Sequence, residues 1–546
     1  MAGMKFASFA LAAVLCAASA QAAERAATIS ALRSIKATTA SAWGRVTLEG
    51  YYKAGDFGAP ESFVWSPSSI SADNGCTVIQ PADRPAAGRW LLHWTGSLKI
   101  TQCGAREDGT FNDAPALAAT LAAAERPGAT IVLPCGAITL PSASLESAAP
   151  FRVPPHTIIR GERRSCAIVT VTGTSEVNRL FVAENPSQVW FESFTLRGNS
   201  IATHSGDRGA IFFSGTPAAR GPMKDFGLRD MALENFRQDY WVSVENASPY
   251  DMQGVVIDGA LIRTFPNNDR DDRNIAVPSD IFAFRGQEGG AKGVVDGISV
   301  TGADADGEFV KAFAVFWAGT RNGHVERNTL RNFGARVASD AGGYALLTYD
   351  SSYGKSLPPT AMWIVENTIV SPRSCGWYGA GTLDVHIDRN TISGQSDGAD
   401  ATLPKGAIAF NGSTGEASGN TLSDNVDGIE VALPPSGSIR LSGNAVTSAR
   451  PHAKGIVLDG EPPRGPPPVV TLDQNTVSLV GDAAVALVLV GDARAPLGIV
   501  DIRGGSYRGT YADVLSFDRD RGEAVASAIH IEGVALSRAP SNRVQR

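Results

Sequence analysis

Arg327-Asn328-Thr329-Leu330 returns, with small changes, as Glu366-Asn367-Thr368-Ile369, Arg389-Asn390-Thr391-Ile392, Gly419-Asn420-Thr421-Leu422, Gly443-Asn444-Ala445-Val446 and Gln474-Asn475-Thr476-Val477. Successive asparagines lie 39, 23, 30, 24 and 31 residues apart. A phrase returning at irregular steps of this size marks stacked units of nearly constant cross-section joined by loops of variable length. Around each asparagine the apolar residues alternate. Val325, Ile364, Ile387, Leu441 and Leu472 stand three before it, and Leu330, Ile369, Ile392, Leu422, Val446 and Val477 two after it. That is the period of a strand with one face turned inward.

Most units also carry an earlier strand, such as Ala407-Ile408-Ala409-Phe410 or Gly455-Ile456-Val457-Leu458. Two or three short strands per unit, with Gly, Asn and Asp at the corners, describe one coil of a parallel β-helix. Phe194-Thr195-Leu196, Met231-Ala232-Leu233, Ala260-Leu261-Ile262 and Ile298-Ser299-Val300 fill the same slot further upstream. Roughly ten to twelve coils are expected between residues 130 and 535, and crossovers between parallel strands make them right-handed. Stacking puts like above like, so the asparagines should form a ladder bonded to the turn backbone. A β-propeller or sandwich would need long, regular hairpins, and hairpin signals are sparse.

The fold class read from the sequence is therefore all-β: a right-handed, single-stranded parallel β-helix with an N-terminal capping helix and a small β-rich head. The chain has 546 residues, with 19% charged and a net charge of −7. With no long basic run, nucleic-acid binding is not expected. Lys5, the apolar run Phe6 to Ala18 and Ala20-Gln21-Ala22 have the form of a secretory signal, so residues 1–22 are assigned as a signal peptide and the location as secreted or periplasmic in a bacterium. No later segment is apolar enough to span a membrane. Five cysteines follow: Cys76, Cys103, Cys135, Cys166 and Cys375. An oxidising compartment permits one or two disulfides among the first four, and Cys135 and Cys166, 31 residues apart, are one coil from each other.

Residues 23–100 form the head and 101–546 the coils. A helix is expected near 113–125, with Asp113 as its N-cap, Pro115 in the first turn and Leu117 and Leu121 on one face, where it would cover the open end of the core. The head carries Gly50-Tyr51-Tyr52-Lys53-Ala54-Gly55-Asp56, Phe63-Val64-Trp65, Ala72-Asp73-Asn74-Gly75-Cys76-Thr77-Val78-Ile79 and Gly88-Arg89-Trp90. After them come Gly104-Ala105-Arg106-Glu107-Asp108-Gly109 and Leu133-Pro134-Cys135-Gly136. This order resembles the pectate-lyase-like right-handed β-helix superfamily, in the branch shared by phage tailspike depolymerases and secreted bacterial polysaccharide-degrading enzymes. The resemblance implies a carbohydrate held in a groove along the outside of the coils, and a monomer or, as in tailspikes, a trimer.

Four residues before the repeat asparagine stand His324, Trp363, His386, Glu416 and Arg440. Two before it stand Glu326, Val365, Asp388, Ser418 and Ser442. By alternation these face outward. A solvent-facing Trp363 between two imidazoles reads as a sugar-stacking platform, with carboxylates and imidazoles supplying proton transfer. His324, Glu326, Asp350, His386 and Asp388 are the catalytic candidates. A second cluster, read as lying on loops, supplies substrate-binding candidates: Arg336, Tyr349, Tyr353, Lys355, Trp377 and Tyr378, joined by Trp363. A hydrolase would use a carboxylate pair drawn from Glu326, Asp350, Asp384 and Asp388. A lyase would use His324 or His386 with Tyr349, Lys355 or Arg336. The N-T-D, D-D and G-H-G signature of polygalacturonases is missing. No cofactor or metal is expected. Calcium at Asp304-x-Asp306-Gly307-Glu308 is the one alternative, although calcium takes six or more oxygens and three carboxylates are in view. The leading reading is a polysaccharide hydrolase or lyase. A uronan epimerase and a non-catalytic glycan-binding or matrix β-helix are the competing readings.

Overall fold

Each repeat closes one coil. Thr320–Glu326 runs into the asparagine corner, Thr329–Arg331 leaves it, Tyr344–Tyr349 forms a third edge, and Thr360–Val365 then lies beside Thr320–Glu326 one level on. Repeated along the chain, this builds three parallel sheets, here called sheets one, two and three. Among the described residues they hold 15, 14 and 13 strands. The computed structural model describes residues 24–538 except 126–127, 146–150, 176, 178, 200–207, 237–239, 265–279, 287–291, 336–342, 351–356, 397–405, 435, 461, 463–465, 492–494, 511–514 and 518–528. The chain divides into two compact units, one ending at Trp94 and the other beginning at Thr95.

The coils are held from within by columns of like residues. Val325, Ile364, Ile387, Ala417, Leu441 and Leu472 stack in register on sheet one, each at most 1% exposed. Burying each of the larger aliphatics contributes about 1.5–3 kcal/mol. Earlier coils fill the same space with phenylalanines: Phe181, Phe191, Phe213 and Phe226 meet ring to ring at 5.0–5.9 Å.

The corner between sheets one and two explains the repeated phrase. The residue before each asparagine is left-handed, with φ of +54° at Arg327, +56° at Glu366, +54° at Arg389, +60° at Gly419, +61° at Gly443 and +54° at Gln474. A non-glycine residue there costs roughly 1–2 kcal/mol, which the buried asparagine offsets. The Asn390 side-chain amide donates to the Ile364 carbonyl at 2.8 Å and to Asn420 Oδ1 at 3.0 Å. Its own Oδ1 accepts from the backbone N–H and the side-chain amide of Asn367. The same pattern runs from Asn328 to Asn475. Every rung thus satisfies backbone groups that burial would otherwise orphan.

On several strands of sheet three both faces are buried. Val315 and Leu347 point away from the core yet are 0% and 5% exposed, so Ala312–Trp317 reads as an unbroken apolar run and Tyr344–Tyr349 as one interrupted only by Thr348. The Cys135–Cys166 disulfide joins two successive coils.

The helix spans Ala114–Ala123 and buries Leu117 and Leu121 against the first coils. Its start differs from the sequence reading. Asp113 occupies the N-cap position but caps nothing: its carboxylate accepts from the Arg106 and Thr139 amides, and Asn112 Oδ1 takes the Ala114 N–H. The head is a five-stranded sheet in which Arg45–Leu48, Glu61–Ser66, Arg89–Leu92 and Val78–Ile79 are antiparallel neighbours and Glu24–Ala26 joins in parallel. Its motifs are turn chemistry. Asp56 accepts the amides of Tyr51, Tyr52 and Lys53, and Asn74 accepts those of Cys76 and Val78.

Candidate active site

Because every strand of sheet one is in register, its outward residues form columns. One runs His324, Trp363, His386, Glu416, Arg440. Beside it run Glu326, Val365, Asp388, Ser418 and Ser442. Strands about 4.8 Å apart set flat side chains at stacking distance. His324 and Trp363 lie 4.6 Å apart at 8°, and Trp363 and His386 5.4 Å apart at 4°. Imidazoles therefore cover both indole faces. The expectation of Trp363 as an open sugar platform is corrected: its neighbours on the ladder occupy the faces a sugar would need, and only its edge is open.

The stack ends in a cluster of acids. His386 Nδ1 is 2.9 Å from Glu416 Oε1, and Nε2 is 3.2 Å from Asp384 Oδ1. Burial works against a charged imidazole here. The hydrogen bond to Glu416 and the charges of Asp384 and Glu416 outweigh it, and His386 titrates above the ordinary imidazole range. Asp388 accepts a 2.5 Å hydrogen bond from Ser418 Oγ. His386, Asp388 and Glu416 each place one nitrogen or oxygen within 4.8 Å of the others. That spacing would also admit a small divalent cation. As it stands, the imidazole nitrogens and Asp388 are engaged in the hydrogen bonds just named. At the other end of the stack, His324 Nδ1 meets Glu326 at 3.2 Å, and Glu326 is paired with Arg327 at 2.8 Å.

His324, Glu326, His386 and Asp388 thus share one face. The remaining candidates divide. Tyr349 ends a strand of sheet three and lies edge-on to Trp317, with Asp350 directly after it donating its amide to Ala380. Tyr378, also on sheet three, stacks on Tyr344 at 5.4 Å and accepts from the Asn411 amide. Tyr349 and Tyr378 thus belong to strands, not to loops as the sequence suggested, while Asp350 lies just beyond its strand. Trp377 is a plain correction. It is 0% exposed, pairs in register with Leu346 and Ile408, and meets Phe410 edge-on, so it is core and touches no substrate. Arg336, Tyr353 and Lys355 lie outside the described residues, as do residues 1–22 and the charged stretch 267–273. At the supposed calcium loop, Asp304 binds the guanidinium groups of Arg263 and Arg331, and Asp306 takes the Asn332 amide. Asp304 is thus already paired with two guanidinium groups.

Sequence reasoning missed a second concavity on sheet one, around Trp190, Arg229 and His156. The signal was present: Trp190 lies four residues before Phe194, which fills the asparagine slot.

Residues 313–493 match a family model described as right handed beta helix region, and residues 25–95 match one described as phage tail protein small four-stranded beta-sheet domain. The chain is a right-handed parallel β-helix protein. Among solved structures, this β-helix is similar to the A-module of the Azotobacter vinelandii mannuronan C-5 epimerase AlgE6. The identity is 13% and the TM-score 0.54, over 81% of this chain and 99% of that one. The catalytic unit of the GH87 α-1,3-glucanase from Streptomyces thermodiastaticus strain HF3-3 follows at 12% identity and a TM-score of 0.49, over 79% and 73%. A tailspike protein, gp49 of Acinetobacter baumannii bacteriophage Fri1, described as a capsular polysaccharide depolymerase, gives 12% and 0.41 over 96% and 77%. At these identities the likeness is one of fold. No match was found among curated proteins. No helix among the described residues of the β-helix or head is long and apolar enough to cross a membrane.

Proposed function

We propose that the protein is an exported bacterial glycoside hydrolase that cleaves a polysaccharide lying along the outer face of sheet one, with the bond placed over His386, Asp388 and Glu416. The observation that carries this reading is the meeting of two carboxylates and an imidazole within 4.8 Å on adjacent rungs of a rigid sheet. Glycosidases that work by double displacement hold their carboxyl groups about 5–5.5 Å apart, and Asp388 and Glu416 each bring a carboxylate oxygen within 4.8 Å of the other. Asp388 takes the role of the carboxylate facing the anomeric carbon. Glu416 and His386, hydrogen-bonded to each other, carry the proton passed to the leaving oxygen. Asp384 holds the far nitrogen of the ring.

A lyase or epimerase is less well supported. Either needs cationic groups to stabilise the anion formed beside a uronate carboxyl group. Around His386 the charges are Asp384, Asp388 and Glu416, while the neighbouring guanidinium groups are engaged: Arg327 with Glu326, Arg389 with Glu366 and Arg440 with Asp473. Such a site favours a neutral or sparsely charged chain. The fold is shared with a module named for its action on mannuronan, which supports a polymeric sugar as the substrate class. In this reading Asp388→Asn and Glu416→Gln each lower turnover of a responsive polysaccharide by about 100-fold or more while melting within a few degrees of the parent. Wild-type turnover in both variants would move the chemistry elsewhere.

A further inference from the structure

Trp190 occupies the same outward column of sheet one as the imidazole stack. In register the column reads Trp190, Gly227, Val256, Ser299, His324, Trp363, His386. At about 4.8 Å per rung, Trp190 lies roughly 19 Å from His324 and 29 Å from His386. The three positions between Trp190 and His324 are small, so the face is a trough between two walls. At the Trp190 end it opens into a concavity of about 690 Å³ whose lining includes His156, Asp225, Gly254 and Val256.

The wall at this end is preorganised. The Arg229 guanidinium lies 3.5 Å from the Trp190 ring centroid. One of its nitrogens donates to Glu192 Oε1 at 3.2 Å, and Arg160 grips the other oxygen of Glu192 at 2.7 Å. The Glu192 side chain is only 9% exposed, whereas that of Arg229 is 48% exposed. The guanidinium is therefore held on one face and one edge, with the rest of its fork turned to solvent. Its ordering cost is already met, and a planar fork of N–H groups matches paired oxygens, either two vicinal hydroxyls or one carboxylate. His156, fixed through Nδ1 to Gln188 at 2.9 Å, adds a further polar contact on the same rim.

We propose that this concavity is a distal subsite for the same glycan chain, engaging paired sugar oxygens through Arg229, with Gly227, Val256 and Ser299 as the floor and the chain then passing over the edges of His324 and Trp363 to reach His386. The inference rests on the hydrolase reading for the direction of the chain and on this groove for its length. A short oligomer reaches one end only. A longer one gains the second set of contacts without new translational cost.

Titration calorimetry with neutral α-glucan, β-glucan and galactan oligosaccharides, and mannuronan oligosaccharides as a charged contrast, graded from dimers to dodecamers, tests it on the full chain. The variants are Arg229→Ala, Arg229→Lys and Ser299→Trp, each checked by its melting temperature. The wild type should bind the longest oligomers of whichever sugar it accepts at least ten-fold more tightly than the shortest. Arg229→Ala should erase that gain, Arg229→Lys should recover little of it because the fork is lost, and Ser299→Trp should block it from the floor. All variants should hold short oligomers as the parent does. An affinity independent of length, or a gain that survives in both Arg229→Ala and Ser299→Trp, overturns the distal subsite alone. Failure of the wild type to bind any oligomer overturns it, and the hydrolase reading falls with it if no polysaccharide of a broad bacterial and plant panel releases reducing ends.

Discussion

Asn390 shows how much one side chain carries in this fold. It bonds two asparagines and a carbonyl that have no access to water. Asn390→Ala orphans several buried groups at about 1–3 kcal/mol each, so the variant should lose roughly 3 kcal/mol or more in a urea titration. A loss under about 0.5 kcal/mol would mean that the ladder is ornamental. His386 makes the corresponding prediction for the site. Its raised pKa depends on Glu416 and Asp384, so Glu416→Gln should return its imidazole NMR titration toward about 6.5 and move the alkaline limb of activity to lower pH. Because the folded pKa is the higher one, the stability His386 contributes is complete below about 6.5 and fades as pH rises through the folded value. An unshifted titration in Glu416→Gln would separate the pair. The ladder and the columns were legible because the asparagine phrase fixes the register of sheet one. Trp377 was misread because no such phrase fixes sheet three, and a one-residue slip exchanges inside and outside. Aligning it with Ile408 would have placed it in the core.

At the scale of elements, the capping helix was legible in position and in its apolar face, but its entry was not. Asp113 was diverted from capping by the Arg106 and Thr139 amides, contacts that only the fold brings together. Beside it, burial first and then the charges of Asp113 and Glu162 push Glu107 up to about 7, against a smaller opposing pull from Lys99. An acid whose folded pKa is raised is fully stabilising below its unfolded value, about 4.3, and loses that contribution as pH climbs to about 7. Glu107→Gln should therefore flatten stability between these limits and melt higher than the parent at pH 8. The effect should be of order 1 kcal/mol once solvent screening is allowed for. An unchanged pH profile would show that the group is solvated. Sheet three was the least legible element. Where both faces are buried, as in Tyr344–Tyr349, the strand lacks alternation, so Tyr349 at its end read as a loop residue.

Across the whole molecule, in-register stacking turns a sequence repeat into a long face on which chemistry at one coil and binding at another share a column. Period and corner residues reveal that architecture. They place Glu416 beside His386 in the column, but not the bond between them, nor the closing of Asp384 on the other ring nitrogen. The central claim is hydrolysis at this face. Its most direct test is to incubate the purified protein with a panel of bacterial and plant polysaccharides and follow both new reducing ends and the ultraviolet absorbance of unsaturated uronates. Hydrolysis predicts reducing ends without that absorbance, and their loss in Asp388→Asn. Reducing ends that rise together with the absorbance, or persist undiminished in Asp388→Asn, would contradict it.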